Sequence, residues 1–452
     1  MPDERRAGPP QASSHRSSQS EGTLVSSSRR AVVVGAGIVG ICCALELQKR
    51  GWSVTIVDRL APATGCSFGN AGILASMAVV PLALPGFAWQ LPRMLLDPDS
   101  PLVIRWGALP KLLPWLLHLR RAASVARVAS TADAMKALYA GAVEMHQALA
   151  REAGVPELVR AAPGLYVHRR PGAIDLTNGL AWRLRRERGA EIELLDGPAL
   201  REAEPDLSTA YTRGVRVGPM GYTTNPLRLA QAYAGLFTRG GGAMLRAEVH
   251  ALRPMGATVG VETAAARIDA EAVVVAAGAW SRRLVEPLGL QLALIAERGY
   301  HMTFSDPGIR LRHVVSELEL HFAVTPMEMG LRVAGTEELG LADDPPAWRR
   351  AETLRQQARR MFPNARLDAG TRWMGPRPGT PDSLPAIGPV PGHPNIFIAA
   401  GHGHLGLTGA PHTGRVVAAL VSGELPAVAL GPYAPDRFRT GRRKRSGPGD
   451  GP

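Results

Sequence analysis

Lysine is scarce in this chain of 452 residues: Lys49, Lys111, Lys136 and Lys444 are the only four. Arginine therefore supplies most of the net charge of +13, as a bias of the whole chain rather than as one basic patch. The short basic run at residues 442–445 is typical of a solvated tail. Nucleic acid is accordingly not predicted as a partner.

Cysteine is scarcer still. The chain has three cysteines, Cys42, Cys43 and Cys66. Because their number is odd and their spacing is not that of a metal site, we expect no disulfide framework and a reducing, cytoplasmic location. The N-terminus is rich in Ser, Arg and Pro and lacks the apolar core of a secretory signal. We predict that residues 1–28 and the basic residues 433–452 are disordered tails.

Charge is absent from Leu60 to Pro92, which raises the question of a membrane span. Pro81 and Pro85 interrupt this run, and four glycines loosen it. We therefore predict a buried loop wrapped around a ligand.

Glycine and proline are abundant, with 50 and 38 residues, beside an ordinary 45% of hydrophobic residues. This composition is that of a globular protein with many turns. The length exceeds what a single core usually supports, so we predict two domains or one interleaved pair.

The most specific motif follows the first apolar strand, in RRAVVVGAGIVGICCALELQKRGWSVTIVDR. Gly35, Gly37 and Gly40 separate this strand from a helix, and a second strand ends at Asp58. Glycines at this spacing permit a tight turn, the close approach of a pyrophosphate and close packing of helix on strand. The terminal acid can accept hydrogen bonds from ribose hydroxyls. The unit predicts a dinucleotide site at the helix N-terminus.

A second strand–glycine–helix unit lies near the other end of the chain, in NIFIAAGHGHLGLTGAPHTGRVVAALVSG. Its histidines, His402 and His404, have the spacing of a metal-ligand pair on a strand. No Cys, Asp or Glu lies between Ala399 and Gly414 to complete such a site. We therefore predict no metal, and instead a second helix N-terminus that approaches the other half of a large cofactor.

Together these motifs resemble the D-amino-acid oxidase superfamily of FAD-dependent oxidoreductases. The resemblance rests on VVVGAGIVG, VTIVDR, SFGNAG, ERGYHM, GPRPGTPDSLPAIGP and GHGHLGLT, which occur in family order between residue 31 and about residue 425. Within the superfamily, the sequence is most similar to bacterial D-amino-acid dehydrogenases and, at the C-terminus, to glycine oxidases. Ser383 stands where the family usually has glycine, which leaves the geometry of that turn open.

The resemblance implies an α/β fold class with an α+β substrate domain. A Rossmann-like FAD-binding domain would be interrupted by a substrate domain with an antiparallel sheet. We place the FAD-binding domain at residues 29–80, 223–283 and 375–425, and the substrate domain at residues 81–222 and 284–374.

Three residues acquire a role at the substrate through the resemblance. Arg377 matches the arginine that grips the substrate carboxylate, for which a planar guanidinium provides a bidentate pair. Tyr300 matches an aromatic residue that covers the substrate, with a half-buried tyrosine of the sheet as the alternative. His404 falls at a further substrate-contacting position or merely flanks the flavin, and His402 is predicted to be structural.

For the cofactor, we expect contacts from both glycine-rich units, from the loop after the second strand and from a turn in DAEAVVVAAGAWS, with Val249 presenting its backbone to the adenine. The predicted residues are Gly35, Ala36, Gly37, Ile38, Val39, Gly40, Asp58, Arg59, Ser67, Asn70, Ala71, Gly72, Val249, Ala277, Gly278, Trp280, Gly403, Leu405, Gly406, Leu407 and Thr408. No cysteine follows Cys66 and residues 69–72 contain no histidine, so FAD is predicted to be non-covalent.

The implied reaction is oxidative deamination of a D-amino acid. Hydride passes from Cα to flavin N5, and the imino acid hydrolyses to a keto acid and ammonia. Glycine, sarcosine or a D-hydroxyproline-like imino acid are alternative substrates. A non-catalytic FAD subunit of a hetero-oligomeric dehydrogenase, or an NAD dehydrogenase, are the alternative classes.

The electron acceptor is oxygen or a quinone, and one segment bears on this choice. Residues 101–121 combine leucines, Trp106 and Trp115 with flanking bases, which suits a peripheral anchor on the inner face of the plasma membrane. Because we expect Pro110 and Pro114 to break a regular helix, a helical excursion packed on the substrate domain is the alternative.

Overall fold

The computed structural model describes residues 29–86 and 100–439. Within them the strands, in chain order, are β1 (Arg30–Val34), β2 (Ser53–Asp58), β3 (Ile73–Leu74), β4 (Leu102–Ile104), β5 (Val159–Ala161), β6 (Gly164–Val167), β7 (Glu191–Asp196), β8 (Arg213–Gly218), β9 (Gly221–Thr223), β10 (Ala243–Arg246), β11 (Val249–Met255), β12 (Thr258–Thr263), β13 (Arg267–Ala270), β14 (Ala272–Val275), β15 (Ile295–Phe304), β16 (Val314–Glu317), β17 (Phe322–Met327), β18 (Gly330–Gly340), β19 (Thr371–Gly379), β20 (Ala386–Val390) and β21 (His393–Ala400). The α-helices of the same residues are α1 (Ile38–Gln48), α2 (Leu109–Ala122), α3 (Val125–Tyr139), α4 (Ala142–Glu152), α5 (Leu180–Glu187), α6 (Gly197–Ala203), α7 (Pro226–Arg239), α8 (Ser281–Val285), α9 (Arg349–Met361) and α10 (Gly406–Val421).

The first sheet has the strand order β10-β2-β1-β14-β21-β20 and joins segments that are far apart in sequence. Its neighbours pair in parallel, except that β20 runs antiparallel to β21. Strands β1 and β14 are continuous apolar runs because both faces are covered, by α1 on one side and by the small sheet β11-β12-β13 on the other. The predicted Rossmann-like architecture is confirmed.

The second sheet has the order β19-β15-β18-β17-β16-β6-β8-β7, and β4 pairs with β18. Most pairs are antiparallel, but β16 pairs with β6 and β18 pairs with β4 in parallel, so the sheet is mixed rather than purely antiparallel. One face packs on α9 through a core that includes Phe304, Leu331 and Leu354. The other face is therefore available to the site.

Strand β19 crosses the predicted domain boundary at residue 375. It pairs with β15 from Thr371 to Gly379, with Arg377 directly opposite Glu297. The strand that carries Arg377 thus belongs to the substrate sheet.

The predicted C-terminal tail begins too early. Tyr433 is buried and its hydroxyl donates a hydrogen bond to the Ala134 carbonyl at 2.6 Å. Arg437 forms two hydrogen bonds of 2.8 Å to the Asp382 carboxylate. Disorder was therefore the wrong prediction for residues 433–439, since these contacts fix them. Residues 1–28 and 440–452, also predicted to be disordered, lie outside the described residues, as do residues 87–92 of the uncharged run.

Helix α2 continues through both of its prolines, contrary to the prediction that they break it. Pro110 lies in the first turn, where the backbone N–H has no partner inside the helix, and Pro114 lies inside the helix. Leu112, Trp115 and Leu119 form the buried face. In residues 29–86 and 100–439, no helix is both long and apolar enough to cross a bilayer.

Ser383 keeps the left-handed backbone that the family glycine would favour, with φ of 64°. Its hydroxyl accepts a hydrogen bond from the Leu82 N–H at 2.9 Å. The serine therefore preserves the turn and ties it to the loop that follows β3.

Candidate active site

A cavity of about 500 Å³ is lined by parts of both large sheets. Its walls come from the turn between β1 and α1, the end of β2, residues 60–80, the turn after β14, residues 402–407 and β19. Segments separated by hundreds of residues therefore converge on one site. Of the uncharged run at residues 60–92, for which a loop around a ligand was predicted, residues 60–80 contribute to these walls.

The glycines of the first turn have three different tasks. Gly35 has φ of 117°, and a Cβ there would lie 2.4 Å from the Ala276 carbonyl oxygen. A Cβ at Gly40 would lie 1.9 Å from the Gly35 carbonyl oxygen, so α1 packs directly on the turn. A Cβ at Gly37 would meet only Ser67 Oγ, at 3.5 Å, and would otherwise project into the cavity. Gly37 thus leaves room for a ligand, whereas Gly35 and Gly40 allow backbone segments of the protein to pack closely against each other.

The N-terminus of α1 faces this space. Its N-cap, Gly37, has no side chain to accept a hydrogen bond, and the Ile38 N–H donates to Ser67 Oγ at 2.9 Å. The partial positive charge of the helix end is therefore directed at the cavity without a carboxylate cap, which suits a phosphate group.

One end of the cavity is suited to a nucleoside. Asp58 lines it and accepts a hydrogen bond from the Ala36 N–H at 2.7 Å. Arg59 lies 4.5 Å from the centroid of the Trp280 ring and pairs with Glu248 at 3.4 Å. Val249 lines the same wall.

The turn before α10 closes the opposite side. Leu405, Gly406 and Leu407 line the cavity, and α10 begins without a side-chain cap. His402 is buried and its Nε2 lies 2.9 Å from Thr413 Oγ1; burial lowers its pKa to about 4, so the ring is neutral. The His404 side chain is accessible from the cavity, and desolvation by the protein around the cavity lowers its pKa. In the part of the chain that the structure describes, no cluster of three or more His, Cys, Asp or Glu side chains could hold a metal.

Twenty of the predicted site residues line the cavity, among them Arg377 and His404. Gly40, Gly72 and Thr408 do not, since they support the walls from behind. A Cβ at Gly72 would lie 2.6 Å from the Thr223 carbonyl oxygen, and Thr408 Oγ1 hydrogen-bonds the Ala75 N–H and the Ile73 carbonyl at 3.2 Å.

Tyr300 does not lie at the cavity, which corrects the prediction that it covers the substrate. It is fully buried in the core on the other face of the second sheet, where its hydroxyl donates to Glu338 at 3.1 Å and accepts from the Ala347 N–H at 2.9 Å. The neighbouring His301 lies on the other face of the strand, behind the cavity wall, where it stacks on the cavity-lining Trp373 with ring centroids 5.1 Å apart. Successive side chains of a strand point to opposite faces of the sheet, and Tyr300 points to the face away from the cavity.

The Arg377 side chain lies over Gly299 of the adjacent strand β15. A Cβ at Gly299 would be 2.1 Å from the guanidinium carbon of Arg377. Its ion-pair partner among the described residues is Glu337, with Nη1 and Oε1 at 3.5 Å. One long contact leaves most of the five guanidinium donors available to a ligand.

Sequence reasoning missed the acidic residues around Arg377. Glu297 is buried beside it, and burial, followed by the nearby Glu337, raises the pKa of Glu297 to about 8. Burial therefore favours the neutral form of Glu297, whereas Glu337 is the carboxylate in ion-pair contact with Arg377. The alternation of residues 297, 299 and 301 against 373, 375 and 377 was visible in the sequence and places them on one face.

Two further unpredicted contacts fix residues 66–72 against the cavity. Arg332 Nη1 donates to the carbonyls of Phe68 at 3.0 Å and Asn70 at 2.8 Å, while burial lowers its pKa to about 10. Cys66 donates to the Pro376 carbonyl at 3.0 Å, and burial raises the pKa of its thiol to about 12. The loop is held rigidly by groups that carry no local sequence motif.

Comparison with known proteins agrees with this geometry. Residues 30–420 match the family model described as FAD dependent oxidoreductase. The chain belongs to this family. It is 39% identical over 418 residues to a D-amino-acid oxidase of Bradyrhizobium diazoefficiens, covering 91% of this chain and 99% of the relative. A D-amino acid dehydrogenase of the same organism is 31% identical over 418 residues, covering 90% and 99%.

The solved structure of glycine oxidase from Geobacillus kaustophilus has the same fold, with a TM-score of 0.69, 24% identity and coverage of 91% of this chain and 99% of that one. Membership of the FAD-dependent family gives FAD as the cofactor, as predicted, rather than NAD. The open cradle at Gly37 and the two uncapped helix ends fit a dinucleotide and its flavin.

Replacing Gly37 by valine should give a folded protein that purifies without FAD, since the side chain would occupy space that the pyrophosphate needs. The matched control is Gly40→Val, which should fail to fold because its Cβ would strike the Gly35 carbonyl. Circular dichroism and the flavin-to-protein absorbance ratio distinguish the two. A Gly37→Val protein with full flavin content would refute the assignment of this turn.

The raised pKa of Glu297 predicts a pH-dependent stability. The contribution of Glu297 to the free energy of unfolding is fully present below the ordinary carboxyl pKa of 4.5. It is lost as the pH rises towards about 8, because Glu297 releases its proton at a lower pH in the unfolded state than in the folded state. The slope should approach about 1.4 kcal/mol per pH unit from this group. Chemical denaturation at pH 5 and pH 8 should show a smaller loss for Glu297→Gln than for the unmodified protein. Equal losses would mean that Glu297 is ionised throughout.

Proposed function

We propose that this protein catalyses the oxidative deamination of a D-amino acid whose carboxylate is bound by Arg377. The supporting observation is the placement of Arg377 in the wall of the cofactor cavity, where the described residues give it one long ion pair and leave most of its donors unused. The relatives named D-amino-acid oxidase and D-amino acid dehydrogenase favour the same substrate class.

Each residue around Arg377 would have a defined part in binding. A carboxylate can meet the guanidinium fork in a bidentate pair, competing with the single contact from Glu337. Glu297, largely neutral, would not repel it. His404, also neutral, would offer a hydrogen bond without adding charge, and Trp373 forms a flat apolar wall. These groups would fix the Cα–H bond of the substrate relative to the cofactor.

FAD supplies the hydride acceptor when it is bound. The chain contributes position and electrostatics, and the imino acid product then hydrolyses in water. A covalent link to the flavin is not proposed: Cys42 and Cys43 are buried in α1, and the Cys66 thiol is protonated and donates to a carbonyl.

Arg377→Met should lower kcat/KM for a D-amino acid by roughly 10²–10⁴, and Arg377→Lys by less, since lysine keeps the charge but not the fork. Flavin content should not change. The matched control is Arg372→Met on the same strand, because Arg372 stacks on Trp348 at 4.6 Å rather than facing the cavity.

The discriminating substrate is an amine that lacks a carboxylate. The unmodified protein should oxidise it poorly, and Arg377→Met should be no worse. An equal proportional loss on the amine and the amino acid would assign Arg377 to the fold or to the flavin instead.

For the electron acceptor, we propose a membrane quinone reached by peripheral contact through α2. Trp106, Leu113 and Leu117 are 60%, 54% and 50% exposed on the side of this segment that does not pack on the protein. Lys111, Arg120 and Arg121 are exposed beside them. Exposed apolar side chains flanked by bases suit an anionic lipid surface.

Vesicles that contain phosphatidylglycerol should co-sediment the protein, and the double variant Leu113→Glu/Leu117→Glu should remain in the supernatant. Leu245→Glu, at a leucine that is 42% exposed on β10, is the matched control and should still bind. If the unmodified protein ignores the vesicles and reduces oxygen rapidly, the quinone proposal is wrong.

A further inference from the structure

Arg185 lies in the wall of the same cavity, far along the sheet from Arg377. It belongs to α5 and lies against Tyr166 of β6, which also lines the cavity. In the second sheet, β6 is five strand positions from β19, the strand of Arg377. An arginine of helix α5 and an arginine of strand β19 therefore line one ligand space.

Aromatic rings fix the orientation of the Arg185 guanidinium. Its central carbon lies 5.3 Å from the centroid of the Tyr166 ring and 4.9 Å from that of Trp182. The two rings are 6.0 Å apart and nearly perpendicular, at 89°. A guanidinium held against two rings loses little further freedom when it binds a ligand.

Two arginines close to Arg185 in sequence have carboxylate partners, whereas Arg185 does not. Arg183 pairs with Glu187 at 3.8 Å, and Arg188 pairs with Asp133 at 2.8 Å. Among the described residues, Arg185 has no carboxylate partner; Nη1 makes a long hydrogen bond of 3.4 Å to the Ala181 carbonyl, and the buried Nε has none. The cavity therefore contains an oriented cation without a counter-ion among the residues that the structure describes.

We propose that Arg185 is a specificity-determining residue that binds a second carboxylate, carried by the side chain of the substrate. This rests on the proposed function, in which Arg377 holds the α-carboxylate. The protein would thus prefer acidic D-amino acids to neutral ones of the same shape. A dicarboxylic substrate satisfies both arginines, whereas its amide leaves the fork of Arg185 without a charged partner.

The test compares kcat/KM for three acid and amide pairs: D-aspartate with D-asparagine, D-glutamate with D-glutamine, and D-2-aminoadipate with its amide. The chain-length series locates the carboxylate spacing that the cavity requires. For at least one pair, the unmodified protein should prefer the acid by about 10–100-fold. Arg185→Met should reduce this ratio to about one, and Arg185→Lys should retain part of it.

The ratio within each variant is the readout, so a general loss of activity or folding does not imitate the expected result. Arg183→Met, which removes a charge two residues away on the same helix, should leave the ratio unchanged. A ratio near one for all three pairs in the unmodified protein, or a preference that survives in Arg185→Met, would overturn the proposal. Failure of the proposed function is separate: no D-amino acid, including D-alanine, would then reduce the flavin.

Discussion

The site depends on the contact between α1 and the turn that precedes it. Without a Cβ at Gly40, the helix lies directly against the Gly35 carbonyl, and without one at Gly35, the turn lies against the Ala276 carbonyl. This packing fixes the helix N-terminus at the carboxyl ends of β1 and β14, where the dinucleotide cavity opens. Residues far away in sequence, including Gly403 and Arg377, complete a site whose position this contact sets.

Charge balance is the second constraint on the cavity. Arg377 has an ion-pair partner in Glu337, while burial favours the neutral form of Glu297 on the neighbouring strand. An arriving carboxylate therefore meets a guanidinium that is neither fully paired nor isolated. Arg185, on α5, has no ion-pair partner among the residues that the structure describes. The cavity is built to hold negative charge at more than one place.

Sequence patterns predicted the parts of the fold that local chemistry determines. The strands and helices around Gly35 and Gly403 follow from apolar runs and glycine spacing, and the resemblance directed attention to Arg377. The position of Tyr300 was predicted wrongly because a motif match does not specify which face of the sheet a residue occupies. His301, one residue further, packs on the cavity-lining Trp373 instead.

Glu337 could not have been predicted in the same way. The register of β15 and β18 shifts between Gly299 and Tyr300, and Thr336 adopts φ of 52° beside this irregularity. Such a bulge turns Glu337 towards the face of Arg377. Arg185 and Arg332 act on the cavity through packing between distant segments, for which the sequence has no local pattern.

The most direct test of the central claim is anaerobic bleaching of the bound flavin by the two enantiomers of one amino acid. We predict that the purified protein is yellow and that D-amino acids reduce its flavin while the L-enantiomers do not. Reduction by an L-amino acid, by glycine or sarcosine but no D-amino acid, or by none of these compounds would contradict it.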